Sequence, residues 1–271
     1  MLTEKLQKVL ARAGLGSRRQ VETWIEEGRV QVNRKNAIIG QRVSDKDDIR
    51  LNGRRVSSKR LEAQTRQVIC YHKPLGEVCT RRDPEGRPTI FKNLPELFAG
   101  RWITVGRLDI NTSGIILLTT DGELANRLMH PSYGLEREYA VRVLGKVDDE
   151  MLTRLKTGVD LDDGKAQFDE IKEAGGEGAN HWYHVTIKEG RKREVRRLWE
   201  SQGITVSRLI RIRYGQVRLP PYLRAGHWAA LDKEVVNDVL KQVDLYKKTE
   251  KPERPQRHRA KFRHDKNGKK R

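Results

Sequence analysis

Between residues 68 and 231 the segments of strand character come in groups, at 68–72, 102–105, 115–119, 139–144, 182–188, 208–214 and 228–231. Helical spacing marks only 122–129, 149–157, 193–202 and 234–245. A doubly wound parallel sheet needs a helix between most consecutive strands, so this grouping favours an α+β fold with a mixed, largely antiparallel sheet flanked by helices. No internal repeat interrupts that pattern. At 271 residues the chain is long enough for roughly two domains, and the first 60 or so residues read differently from the rest.

In that first stretch Leu6, Val9, Leu10 and Ala13 share one helical face, with Lys5, Lys8 and Arg12 off it and Thr3 placed to cap the helix. Gly14 and Gly16 end it. Ser17-Arg-Arg-Gln20 has the form of a capping box opening a second helix over 18–27, with Val21, Trp24 and Ile25 inward. Gly28 stops that helix, and strands are expected at 29–32, 38–43 and 49–51, with the unit closing near Leu61. Two arginines at a helix start combine guanidinium charge with the positive end of the helix dipole, a combination that suits phosphate. The same pattern also fits a plain amphipathic helical hairpin. Polar residues 57–66 make a linker to the larger region.

Lys and Arg number 56 against 37 Asp and Glu, a formal charge of +19. From Lys247 onward twelve basic residues face three acidic ones with a single aromatic, so residues 247–271 read as a disordered basic tail. The rest of the chain remains strongly basic, and a polyanion is the expected partner. No apolar run approaches the length of a bilayer span, and residues 1–8 alternate charge in place of a signal-peptide core. Two cysteines, Cys70 and Cys79, make neither a zinc set nor a disulfide framework. The expectation is a soluble cytoplasmic protein with no metal.

No dinucleotide, P-loop or metalloprotease signature is present. The stretch Val105-Gly-Arg-Leu-Asp109-Ile-Asn-Thr-Ser-Gly114 places an acid beside an arginine in a loop between apolar strands. Asp109 there could be a nucleophile or general base kept ionised by Arg107, or one half of a structural ion pair.

Several motifs read together reach further. Leu6-Gln-Lys-Val-Leu-Ala-Arg-Ala-Gly14, Gly16-Ser-Arg-Arg19 and Gly28-Arg-Val-Gln-Val-Asn33 resemble the small S4-like RNA-binding domain. Arg34 stands where that family has Gly, which implies a turn of different shape. Lys73-Pro74, Gly106-Arg-Leu-Asp109, Arg137-Glu-Tyr139 and Glu189-Gly-Arg-Lys-Arg-Glu-Val-Arg-Arg-Leu198, in that order, resemble the pseudouridine synthases that act on ribosomal RNA. Arg87-Pro-Thr89, Asp121-Gly-Glu-Leu-Ala-Asn126 and Met129-His-Pro131 extend the likeness, which covers nearly all of residues 1–232.

The resemblance implies an S4-like domain over 1–62 and a catalytic domain of pseudouridine synthase fold over 63–246. It implies uridine isomerisation in large-subunit ribosomal RNA, free or in an assembling particle, by a monomer without cofactor. Asp109 then maps onto the essential aspartate, Tyr139 onto the active-site tyrosine and Arg196 onto a basic partner expected to pair with Asp109. RNA contacts are implied for Lys8, Arg12, Arg18, Arg19, Lys73, Arg107, Arg193, Arg197 and Arg211, with Leu209 beneath the base. The competing readings are a non-enzymatic ribosome-assembly factor on the same fold and a DNA-binding regulator, for which the hairpin offers no dimer symmetry.

Overall fold

A computed structural model of the chain describes residues 3–62, 65–177 and 180–246. The expected basic tail therefore lies outside the described residues. The first part runs β1 (Glu4–Lys5), α1 (Leu6–Arg12), α2 (Arg18–Glu26), β2 (Val30–Val32), β3 (Lys35–Asn36), β4 (Arg42–Val43), β5 (Ile49–Leu51), β6 (Arg54–Arg55) and α3 (Ser58–Leu61). Strands pair antiparallel in the order β3-β2-β5-β6, with β1 on β4 as a separate ribbon. Leu6, Leu10, Val21, Ile25, Val30, Val32 and Ile49 fill a core of their own.

The capping box is formed: the Gln20 amide donates to Ser17 Oγ at 3.1 Å and the Ser17 amide to Gln20 Oε1 at 3.4 Å. Thr3 does not cap α1. Glu4 and Lys5 are drawn into strand pairing with Arg42 and Val43, and Thr3 Oγ1 accepts from Arg42 Nε instead. The strand expected over 38–43 shrinks to Arg42–Val43 because Ile38 and Ile39 stand exposed in a turn. Trp24 is only partly buried, with Arg29 over its ring at 5.3 Å. Arg34 does not reshape its turn: Asn33 and Arg34 take φ of 51° and 66°, the left-handed pair that a two-residue hairpin loop requires.

The larger part comprises β7 (Val68–Lys73), β8 (Ile103–Val105), β9 (Ser113–Thr119), α4 (Gly122–Met129), β10 (Arg137–Leu144), α5 (Asp149–Thr157), β11 (Val159–Leu161), β12 (Gly164–Ala166), β13 (Glu170–Glu177), β14 (Asn180–Ile187), α6 (Glu194–Glu200), β15 (Thr205–Tyr214), β16 (Val217–Arg218), β17 (Trp228–Ala230) and α7 (Lys233–Gln242). Its main sheet has the order β13-β14-β10-β15-β9-β7-β17, with β16 beside β15 and β8 beside β9. Only the β15–β9 pair is parallel among the described strands, so the sheet is mixed and largely antiparallel as expected.

Helices α5 and α6 cover the half of the sheet holding Val141, Val185 and Leu209, and α4 and α7 cover Cys70, Ile115 and Leu117. A third cluster, with Ile69, Tyr71, Trp102, Ile116 and Leu118, closes the opposite face of β7 and β9. Every residue of β9 is buried, which is why its middle, residues 115–118, is continuously apolar instead of alternating. Helix α6 starts one residue later than expected because Arg193 sits at φ 52°, outside the right-handed helical region.

Candidate active site

The parallel contact of β9 with β15 builds the site. Ser113 and Gly114 lie against Ile210 and Arg211, and a Cβ on Gly114 would fall 2.2 Å from the Arg211 carbonyl oxygen. Only glycine, here at φ +109°, lets the backbones approach so closely. That contact delivers the loop ahead of β9, residues 106–112, to the centre of the sheet. Across β15, Arg211 is registered with Tyr139 on β10, immediately after a bulge between Glu138 and Tyr139. Bulges re-aim side chains beside functional sites, and Leu108, Tyr139, Val195 and Leu209 meet in one apolar cluster here.

Each carbonyl from Asp109 to Thr112 has its own donor. The Thr112 amide bonds Asp109 O at 3.0 Å and the Gly76 amide bonds Ile110 O at 2.9 Å. Arg196 Nη2 bonds Asn111 O at 2.8 Å, and Lys73 Nζ bonds Thr112 O at 2.9 Å. Just before the acid, the Leu108 amide and carbonyl both engage Cys79 Sγ at 3.4 Å. The half-buried Asp109 carboxylate itself forms no ion pair among the described residues. A carboxylate on a fixed backbone beside an apolar floor is equipped to act as a nucleophile or base.

Several expected roles change with these contacts. Arg196 does not pair directly with Asp109: its guanidinium bridges Val206 O, at 2.9 Å, and Asn111 O, so it holds the loop instead. Burial lowers its pKa. Lys73 is fully buried and donates to Pro74 O as well as Thr112 O, so it is no surface contact for RNA. Burial lowers its pKa too, against the opposing charges of Cys79, Glu77 and Asp109. Burial raises that of the Cys79 thiol despite the nearby cations.

Arg211 is likewise interior, donating to Ile115 O at 2.8 Å with its guanidinium 5.1 Å from the Tyr214 ring centre. Arg197 is held by both oxygens of Asp163, at 2.9 and 2.8 Å, which ties α6 to the β11–β12 hairpin. Leu209 is buried in the apolar cluster, where it can floor a pocket. Arg107 and Arg193 are exposed near the site, although Arg193 also reaches Glu200 at 3.1 Å. On the first part, Arg18 and Arg19 are exposed, whereas Lys8 and Arg12 both engage Glu4.

Cys79 and the loop-holding role of Lys73 were not foreseen. The Lys-Pro dipeptide marked Lys73 without showing that it points inward. No cluster of His, Cys, Asp and Glu that could hold a metal occurs among the described residues, and no helix there is long and apolar enough to cross a membrane.

Both parts of the chain are similar to known proteins. The family model for RNA pseudouridylate synthase matches residues 67–201, and that for the S4 domain matches residues 4–49. "Ribosomal large subunit pseudouridine synthase B" of Pseudomonas aeruginosa is 57% identical over 267 residues, covering 95% of this chain and 69% of that one. The protein of the same name from Escherichia coli K12 is 57% identical over 246 residues, covering 90% and 84%. A crystal structure of a pseudouridylate synthase superposes with a TM-score of 0.60 at 26% identity, covering 87% of this chain and 99% of that one. With its S4 domain ahead of a β-sheet core that carries Asp109 on a tethered loop, the chain belongs to the RNA pseudouridylate synthase family.

Proposed function

We propose that this protein isomerises uridine to pseudouridine in large-subunit ribosomal RNA, with Asp109 as the nucleophile. The observation that carries the reading is the Asp109 loop, in which the carbonyls of residues 109–112 are all tied down while the carboxylate forms no ion pair among the described residues. In the reaction the N1–C1′ bond breaks, the uracil turns, and a C5–C1′ bond forms; the C5 proton leaves and N1 gains one. Nothing is oxidised or reduced, so the chemistry calls for no cofactor. The ring of Tyr139 stacks on the uracil above the floor made by Leu108 and Leu209, and its hydroxyl lies on the side from which the C5 proton departs.

A target uridine inside stacked RNA is out of reach, so the nucleotide is flipped into the pocket, at a cost of a few kcal/mol that is smallest in loops and bulges. Exposed Arg107 and Arg193 beside the site, and Arg18 and Arg19 on the S4 domain, offset that cost through phosphate contacts. The division of labour falls near residue 62, supported by the separate cores of the two parts. The protein acts as a monomer in the cytoplasm, on free or assembling ribosomal RNA.

Mapping pseudouridine in large-subunit ribosomal RNA from cells with and without the gene tests the reading. One or a few sites lost with the gene, and regained from a plasmid copy, support it; an unchanged map contradicts it.

A further inference from the structure

Three arginines lead from the catalytic loop to the S4 domain, and two of them, Arg81 and Arg101, belong to none of the motifs above. The row starts at Cys79, which is bonded to Leu108 at 3.4 Å next to the catalytic acid. Two residues on, the Arg81 guanidinium lies over the Phe91 ring at 4.3 Å and donates to the Trp102 carbonyl. Its neighbour across that carbonyl is Arg101, whose Nε is buried with no partner. A buried donor left unmade is costly.

Beyond Arg101 the S4 domain comes in by close contact. A Cβ on Gly14 would fall 2.2 Å from the Gly100 carbonyl oxygen, so the turn between α1 and α2 seats against residue 100 only because residue 14 is glycine, at φ +79°. This seating sets Arg18 beside the start of α4, with its Nη2 3.9 Å from where a Cβ on Gly122 would lie.

No acid among the described residues neutralises the row. Arg18, Arg81 and Arg101 form no ion pair among the described residues. The acid adjoining Gly122, Asp121, is occupied by Arg66 at 2.7 Å and by the amides of Glu123 and Leu124. Burial and then the charge of Arg18 lower the pKa of Arg101, and burial and then Arg101 do the same to Arg81. Like charges held together without a counter-charge are destabilising in the free protein and favour an anion that bridges them.

We infer that Arg18, Arg101 and Arg81 form one anion track that holds the phosphates of a single RNA strand between the S4 domain and the catalytic loop. The track rests on the RNA-modifying reading above and adds to it the path of the bound strand. It assigns phosphate contacts to Arg81 and Arg101 and makes the Gly14–Gly100 seating part of substrate recognition.

The test is the affinity of the full chain for unmodified, transcribed large-subunit ribosomal RNA as a function of KCl concentration. The variants are R18Q, R101Q, their combination, and the charge-keeping R18K and R101K. Each Gln variant is expected to weaken binding several-fold at moderate salt and to lower the slope of log K against log salt by roughly 0.7–0.9, the value of one lost phosphate contact. The Lys variants are expected to keep the wild-type slope. A merely structural role for Arg101 would change thermal stability and leave the slope alone. Arg18 is exposed, so R18Q carries the test even if R101Q folds poorly.

Wild-type affinity and slope in the double variant, with the wild-type protein still forming pseudouridine in this RNA, would overturn the track and leave the enzymatic reading standing. Loss of slope in R18Q and R101Q alongside a wild-type protein that forms no pseudouridine would uphold the track as an RNA site and overturn the enzymatic reading.

Discussion

Lys73 and Arg196 spend their charge inside the protein. Both are cationic, and both hold a carbonyl of the loop that carries Asp109: Thr112 O for Lys73 and Asn111 O for Arg196. Lys73→Met removes the donor from two carbonyls, Pro74 O and Thr112 O. The expected cost is about 1–3 kcal/mol in denaturant unfolding, with a fall in single-turnover rate and little change in RNA affinity. A surface RNA contact would give the opposite pattern, weaker RNA binding at unchanged stability. The acid at 109 was legible because the Gly-Arg-Leu-Asp motif is local. The tethers were not, because they join residues 39 and 85 positions apart. Nothing in a lysine or arginine as such says whether its long side chain ends in water or on a buried carbonyl.

Among the elements, helices with strong local punctuation were read to the residue: α4 over Gly122–Met129 and α5 over Asp149–Thr157, each capped by an aspartate. The Asp121 cap also pairs with Arg66 at 2.7 Å. Burial alone would raise its pKa, but the Arg66 and backbone hydrogen bonds bring it below the ordinary 3.8. The unfolded chain thus binds a proton more readily than the folded one, so this contribution to stability is complete above pH 3.8 and is lost as the pH falls through the lowered value. Asp121→Asn keeps the cap and loses the ion pair; it is expected to cost about 1 kcal/mol or less at neutral pH, a difference that vanishes in acid titrations of stability.

The β2–β3 turn makes a second case. Arg34 at φ 66° bears a conformational strain that glycine would not, and Arg34→Gly is expected to stabilise the S4 domain by about 1 kcal/mol in thermal or urea unfolding. No change, or a loss, would mean that the arginine side chain compensates for its backbone. Elements that tertiary contacts dictate escaped the sequence. The β1–β4 ribbon claims residues that could have capped α1, and the edge strand β13 is polar and glycine-containing, without an apolar alternation to mark it.

At the scale of the molecule, a formal charge of +19 overstates the positive surface. Lys73, Arg137, Arg196 and Arg211 are all at most 8% exposed, and Arg197 and Arg213 are held in ion pairs. The mixed sheet and the two-part organisation followed from the grouping of strands and from the change of pattern near residue 62. The close seating of one part on the other did not, since it depends on two glycines 86 positions apart in the chain, Gly14 and Gly100. Among the described basic residues that form no ion pair are Arg18, Arg101 and Arg81, and Arg107 two residues before Asp109. The central claim is that this acid performs the chemistry while the cations hold the loop and the RNA. The most direct measurement is carbodiimide-primer-extension mapping of transcribed large-subunit ribosomal RNA after incubation with wild-type protein and with Asp109→Asn, alongside RNA affinity. Pseudouridine with wild type and none with Asp109→Asn, at RNA affinities within about twofold of each other, is the predicted result; pseudouridine formed by Asp109→Asn at the wild-type rate would contradict it.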